Sequence, residues 1–268
     1  MKKFLSWFVV ASIIAGPALG ADASVTAPVN KAPPWVSAPN WTGCYGGLNV
    51  GGVTGAAKDT WSNISEDATG FAFAPGAATG LPAAANGTFN GSGVIGGAQL
   101  GCIVQSGLWV WGAEGDIQYA GLEGSRTGTF VSTNAVVNGQ ISESFRSHWL
   151  STIRGRLGFA LGPVLFYGTG GVAIADVHFA DQVCFPNAGT PGCNTASATE
   201  TRVGFAAGGG IEWEFAPMWS VKAEYLYVDL GTSKYNSAFS DPTFPLATIT
   251  HSHHLIENVG RVGLNAKF

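Results

Sequence analysis

Eleven ionisable side chains recur at even spacings inside otherwise apolar stretches, and they are the residues of this chain with most chemistry to offer. They are Glu114 and Asp116, Arg154 and Arg156, Glu212 and Glu214, Lys222 and Glu224, then Glu257, Arg261 and Lys267. Carboxylates two residues apart, such as Glu212 and Glu214, have the groups for general acid and base work. Six acids against five bases, however, nearly cancel. Buried charges must be paired or lose heavily on desolvation, so the natural reading is an internal salt-bridge network. The alternative is a narrow polar path for ions or water. A second group is His251, His253 and His254, in the stretch HSHH. Imidazole is a common ligand, so haem or metal capture stands beside the plainer reading of a solvated polar loop. Single histidines at 148 and 178 fall near strand ends, where an interfacial place is ordinary. Four cysteines complete the inventory: Cys44, Cys102, Cys184 and Cys193. No Gly-rich phosphate loop on a βα unit, no CxxC and no Ser-centred elbow is present, which removes support for a cofactor enzyme.

The elements that must position these groups are alternating strands. In LWVWGAEGDIQYA, residues 108–120, Trp109, Trp111, Ala113, Ile117 and Tyr119 alternate with Glu114, Asp116 and Gln118. In the last stretch, ENVGRVGLNAKF, Gly260, Val262, Leu264, Ala266 and Phe268 share one face, and Glu257, Arg261, Asn265 and Lys267 the other. Period two is the mark of extended chain. A soluble sheet would bury the apolar face. Full charges on the polar face and a terminal aromatic argue instead for apolar residues outside and ions within, the pattern of a transmembrane β-barrel. Composition agrees, because only 11% of residues are charged, against roughly 25% in ordinary soluble domains. The net charge of -4, with cations scattered, gives no nucleic-acid footprint.

Residues 1–20 carry Lys2 and Lys3, an apolar run and a small-residue exit, and read as a secretory signal peptide. Residues 21–40 hold Pro28, Pro33, Pro34 and Pro39 and read as an extended periplasmic leader. Beyond them no apolar run reaches the 18 or more residues of a membrane helix. A closed barrel is the other structure that crosses a bilayer with every backbone group satisfied. The barrel is expected over residues 41–268, with strands at about 41–52, 93–104, 108–120, 148–160, 164–179, 200–215, 219–231 and 257–268. The facing of the fifth is ambiguous. Short turns alternate with loops of about 20 to 40 residues, which gives an all-β, eight-stranded, antiparallel up-and-down barrel with short periplasmic turns and long extracellular loops. An even strand count puts both termini in the periplasm. Aromatics at Trp41, Trp109, Trp149, Phe159, Trp213, Phe215, Trp219 and Phe268 are expected to form interfacial girdles.

Cys184 and Cys193 bracket a Pro/Gly loop in an exported chain, where disulfides persist, and read as a loop staple. Antiparallel pairing of the first two strands brings Cys44 and Cys102 to one end. A cross-strand disulfide is the expectation, with two packed free thiols as the alternative.

The opening WTGCYGGLNVGG, the strings GGAQLG, GAEGDIQ, IRGRLGFA, YGTGGVA and VKAEYLYVDLG, and the ending VGRVGLNAKF together resemble a known set. They are similar to the small eight-stranded outer-membrane barrels of Gram-negative bacteria, in particular the alphaproteobacterial outer-membrane immunogenic, porin-family and haemin-binding branch. The resemblance covers most of residues 41–268 and leaves the long loops unmatched. Cys44 and Cys102 depart from it, at positions where such barrels usually carry aromatics. It implies an integral outer-membrane protein of structural and surface-exposed role, in contact with outer-membrane lipid. It also implies recognition by the barrel-assembly machinery through the last strand and Phe268. A narrow porin-like channel, haem capture, or a membrane-embedded lipid-modifying enzyme are the other functions it leaves open.

Overall fold

The computed structural model describes residues 40–65, 85–131, 138–185, 192–238 and 248–268. The expected signal peptide and all but the last residue of the expected leader lie outside them. Eight antiparallel strands close into a barrel in sequence order: β1 (Gly43–Ser65), β2 (Gly87–Ser106), β3 (Trp109–Val131), β4 (Asn138–Leu161), β5 (Val164–Phe185), β6 (Gly192–Ala216), β7 (Trp219–Ala238) and β8 (Thr248–Lys267). β8 returns to β1 over a ladder from Tyr45↔Lys267 to Ser65↔Thr248, so no edge is left open. Gly107 and Gly162 open the tight turns after β2 and β4 with φ of 62° and 60°, values that favour a residue without Cβ. Met218, after Pro217, turns β6 into β7 at φ 73°.

Side chains sort as the alternation requires. Ile153 is 68% exposed and its neighbour Arg154 1%. Trp111 and Tyr225 point out, Glu114 and Lys222 point in. The outward apolar residues form a band on the short-turn side, from Leu48 and Val50 on β1 to Val262 and Leu264 on β8. Phe268 ends the chain on this outer face, its amide donating to the Cys44 carbonyl at 2.9 Å.

The strands run 20 to 25 residues, about twice what a tilted strand needs to cross a bilayer. They therefore extend well into stretches whose sequence reads as loop. Past the outward apolar band the pattern inverts. On β1, Thr54, Lys58 and Thr60 face out while Val53, Ala57 and Trp61 are buried within. A strand with water outside and a filled barrel inside is polar-out and apolar-in, the reverse of its continuation in lipid. In the ambiguous fifth strand, Leu165 and Tyr167 near the short turn and Ala173, Ala175 and Val177 farther along all face inward.

An eight-stranded barrel is just wide enough to be filled by side chains, and this one is filled in layers. Nearest the short turns lies an apolar cap of Trp41, Tyr45, Ile103, Val110, Leu165 and Tyr167. Trp41 thus sits inside the barrel mouth, and not in the interfacial girdle expected of it. Its amide reaches inward to the Gln105 side chain at 2.8 Å, which draws the ring under the barrel wall. Above the cap comes a layer of ions. A wide apolar belt follows, including Val53, Ile95, Leu122, Phe145, Leu226 and Val259. Beyond the belt, toward the long loops, lies a second polar cluster.

Both cysteine pairs are disulfides, Cys44–Cys102 across β1 and β2 and Cys184–Cys193 across β5 and β6. In each pair the two cysteines are direct register partners.

Candidate functional site

The lower polar layer is built by inward positions of five strands. β3 contributes Glu114 and Asp116, β4 Arg154 and Arg156, β6 Glu212, β7 Lys222 and Glu224, and β8 Arg261. Glu114 is the hub. It accepts from Arg154 Nη2 at 2.7 Å, from Lys222 Nζ at 2.8 Å and from the Tyr45 hydroxyl at 2.6 Å. Arg154 reaches on to Asp116 at 2.9 Å and Glu224 at 3.1 Å. Arg261 donates to the same two acids, each at 2.8 Å. Arg156 closes the network on Glu212 at 2.7 Å, with its guanidinium 3.8 Å from the centre of the Tyr167 ring. Glu212 also accepts from Ser220 at 2.6 Å and Asn265 at 2.7 Å. Four carboxylates meet four cations, and all eight side chains are nearly or wholly buried. Such a layer is neutral.

Three residues grouped with this network by sequence parity stand apart from it. Glu214 and Lys267 lie at the barrel mouth beside Trp219, where the wall opens to solvent. Lys267 donates there to the Asn40 carbonyl. Glu257 is fully buried, but neither of its carboxylate oxygens has a hydrogen-bond partner. Four residues of extended chain put it about 13 Å from Arg261, inside the apolar belt. Strand parity fixes which side a residue faces; it does not fix which layer it enters.

The upper cluster assembles residues from stretches that sequence reading leaves as loop. β1 brings Asp59 and Trp61, β4 Glu143, β5 Asp181, β7 Tyr235, and β8 His251 and His253. All lie past the outward apolar band, at levels where Lys58 and His254 face out. Asp181 Oδ2 accepts from the Tyr235 hydroxyl and lies 3.0 Å from both His253 Nε2 and His251 Nδ1. The other nitrogen of His253 is 3.4 Å from Asp59 Oδ1, and Asp59 Oδ2 accepts from Trp61 Nε1 at 2.6 Å. Phe179 stacks on His253 with ring centres 4.4 Å apart, and Arg126 donates to Glu143 at 2.7 Å. Burial, and after it a hydrogen bond shared with Glu143, push the Asp59 carboxyl up to about 10. Burial acts the same way on Asp181, but hydrogen bonds from His251 and His253 outweigh it and hold this carboxyl well below the usual range.

The three histidines do not act as one face. β8 is extended here, so His251 and His253 point in while His254 points out, 3.5 Å from Asp229. Two trios could hold a cation, Asp181 with His251 and His253, and Asp59 with Glu143 and Asp181; within each, the ligand atoms all lie within 4.8 Å. Sequence reading found the histidines and missed the three acids. The signal that could have found them is an ionisable residue between two inward apolar ones: Ala57-Asp59-Trp61, Ile141-Glu143-Phe145 and Phe179-Asp181-Val183.

Comparison with known proteins adds to this picture. The family description of the outer membrane protein β-barrel domain matches residues 80–246. The 31 kDa outer-membrane immunogenic protein of Brucella melitensis biotype 1 is 30% identical over 262 residues, 97% of each chain. The 25 kDa outer-membrane immunogenic protein of the same organism is 26% identical over 259 residues, 96% of this chain and 92% of that one. The 22 kDa outer membrane protein of Rhizobium leguminosarum bv. viciae is 28% identical over 164 residues, 61% of each chain. Among solved structures, the outer membrane protein OprG from Pseudomonas aeruginosa covers 85% of this chain and 98% of its own, with TM-score 0.43 and 10% identity. A likeness at that level carries no functional argument.

Proposed function

The chain belongs to the outer membrane protein β-barrel family, and on that footing we propose that it is a sealed, non-enzymatic anchor that displays its long loops at the cell surface. The observation that carries this reading is the filling of the lumen. A neutral layer of four acids and four bases lies between an apolar cap and an apolar belt. In this reading the filled lumen leaves contact with the surroundings to the outer wall and to the two ends. The wall offers an apolar band to outer-membrane lipid. The two Brucella relatives are named immunogenic, which supports exposure of the loop end to the outside. In this reading the short turns and both termini are periplasmic, and the final strand with its outward Phe268 is what the barrel-assembly machinery engages.

Amine labelling of intact cells with a bulky, membrane-impermeant reagent tests this orientation. Lys58 and Lys234, outward on the loop side, should be modified on whole cells, and Lys267 only after the envelope is opened. Modification of Lys267 on intact cells, with Lys58 and Lys234 spared, would reverse the orientation.

A further inference from the structure

The upper cluster gathers three carboxylates and two imidazoles in one buried space. Asp181 Oδ2 already accepts from the Tyr235 hydroxyl, yet it also faces His253 Nε2 and His251 Nδ1 at 3.0 Å. A neutral imidazole has one N–H. One N–H from each ring and the Tyr235 hydroxyl therefore converge on a single oxygen, Asp181 Oδ2.

Two observations point to a metal ion as a further occupant. First, Asp181 Oδ1 and Glu143 Oε1 are buried without a hydrogen-bond partner, although each belongs to a side chain nine-tenths or more buried. The hydrogen bonds within the cluster leave both oxygens unused, whereas a cation with four or more ligands draws on them. Second, the spacing suits coordination. Zinc bonds to imidazole nitrogen and carboxylate oxygen of about 2.0–2.2 Å place tetrahedral ligand atoms roughly 3.3 Å apart. The two nitrogen-to-oxygen separations here are both 3.0 Å.

We propose that Asp181, His251 and His253 form a binding site for a divalent transition-metal cation, with Asp59 and Glu143 as the adjoining carboxylates. Mixed imidazole and carboxylate donors suit zinc and the neighbouring first-row ions, where calcium and magnesium prefer oxygen alone. Asp59 lies on the far side of the ring, with Oδ1 3.4 Å from the other nitrogen of His253, and helps keep Nε2 turned toward the ion. Trp61 fixes Asp59 in turn, and the stacked Phe179 ring sets the plane of the imidazole. The apolar belt separates this cation from the neutral ion layer below, so it enters from the loop end.

The test uses the full chain folded in detergent and stripped with a chelator, titrated with Zn²⁺ by calorimetry and with Co²⁺ by visible absorption. One equivalent should bind, with cobalt bands of a low-coordinate, nitrogen-containing site. Asp181→Asn and His253→Gln should each weaken binding by more than tenfold, and Asp59→Asn by roughly 10–100-fold. His254→Gln, on the outer face of the same strand, should leave it unchanged. Should Asp181→Asn fail to fold, His251→Gln carries the same test. Absence of saturable binding would overturn the site and leave a cluster held by hydrogen bonds alone. Binding that survives the Asp181 and His253 substitutions, or that is lost with His254, would place the metal elsewhere and overturn it equally. None of these outcomes bears on whether the barrel is sealed, which is measured separately.

Discussion

Arg154 and Glu114 face each other across the β3–β4 ladder, with Nη2 2.7 Å from Oε1 and both side chains wholly buried. Each also serves a third and a fourth partner, so the pair is the junction through which four strands are held together inside the barrel.

Removing one member of such a junction strands the other charges in a site without water. Arg154→Ala is expected to cost about 3–5 kcal/mol, the range for breaking a buried ion pair from one side. Lys58→Ala, on the outer wall, should fall within about 0.5 kcal/mol. Urea unfolding of the refolded protein in detergent, followed by tryptophan fluorescence, reads both. Equal midpoints for Arg154→Ala and wild type would remove the network from the account of stability.

Glu257 makes the opposite case. Its carboxylate is buried among apolar residues with both oxygens unpartnered. Replacement by Met keeps the volume and removes the unsatisfied group, so Glu257→Met should stabilise by about 1–3 kcal/mol. The same unfolding titration checks it, and a loss of stability would mean that the carboxylate has a use the structure does not express.

Two glycines separate close strand packing from mere tolerance. A Cβ on Gly171 would stand 2.0 Å from the Ile153 carbonyl oxygen and 2.7 Å from Arg154 Cα, whereas a Cβ on Gly260 would meet nothing within 4 Å. Gly171→Ala therefore forces β5 from β4 beside the ion layer, at about 1–3 kcal/mol. Gly260→Ala should be neutral or slightly stabilising. Melting of the two variants side by side distinguishes them, and equal melting would refute the close approach.

How far this could be read from sequence depended on where each residue lies along its strand. Trp111, Ile153 and Tyr225 opposite Glu114, Arg154 and Lys222 are legible because lipid outside and ions inside give a strong period-two contrast. Closure in sequence order, the turns at Gly107, Gly162 and Pro217, and the cross-strand partners of Cys44 follow from that contrast and from spacing. Past Val50 on β1 or Trp149 on β4 the contrast fades, since Thr, Ser and Gly face water there and period two is carried by the inner residues alone. That is why Asp59, Glu143 and Asp181 looked like loop acids, and why the histidines of β8 looked like a solvated run. Trp41 and Glu257 show a further limit. An aromatic at a strand end can cap the lumen as easily as line the interface, and an inward acid need not reach a cation.

The central claim is that the barrel is closed to ions by its own side chains, and single-channel recording in planar bilayers measures this most directly. Purified wild-type protein should insert without resolvable conductance steps at moderate voltage. A double substitution that removes Arg154 and Arg156 together should, if it folds, admit cations past the exposed acids. Steady, reproducible open-channel currents from the unmodified protein would contradict the account.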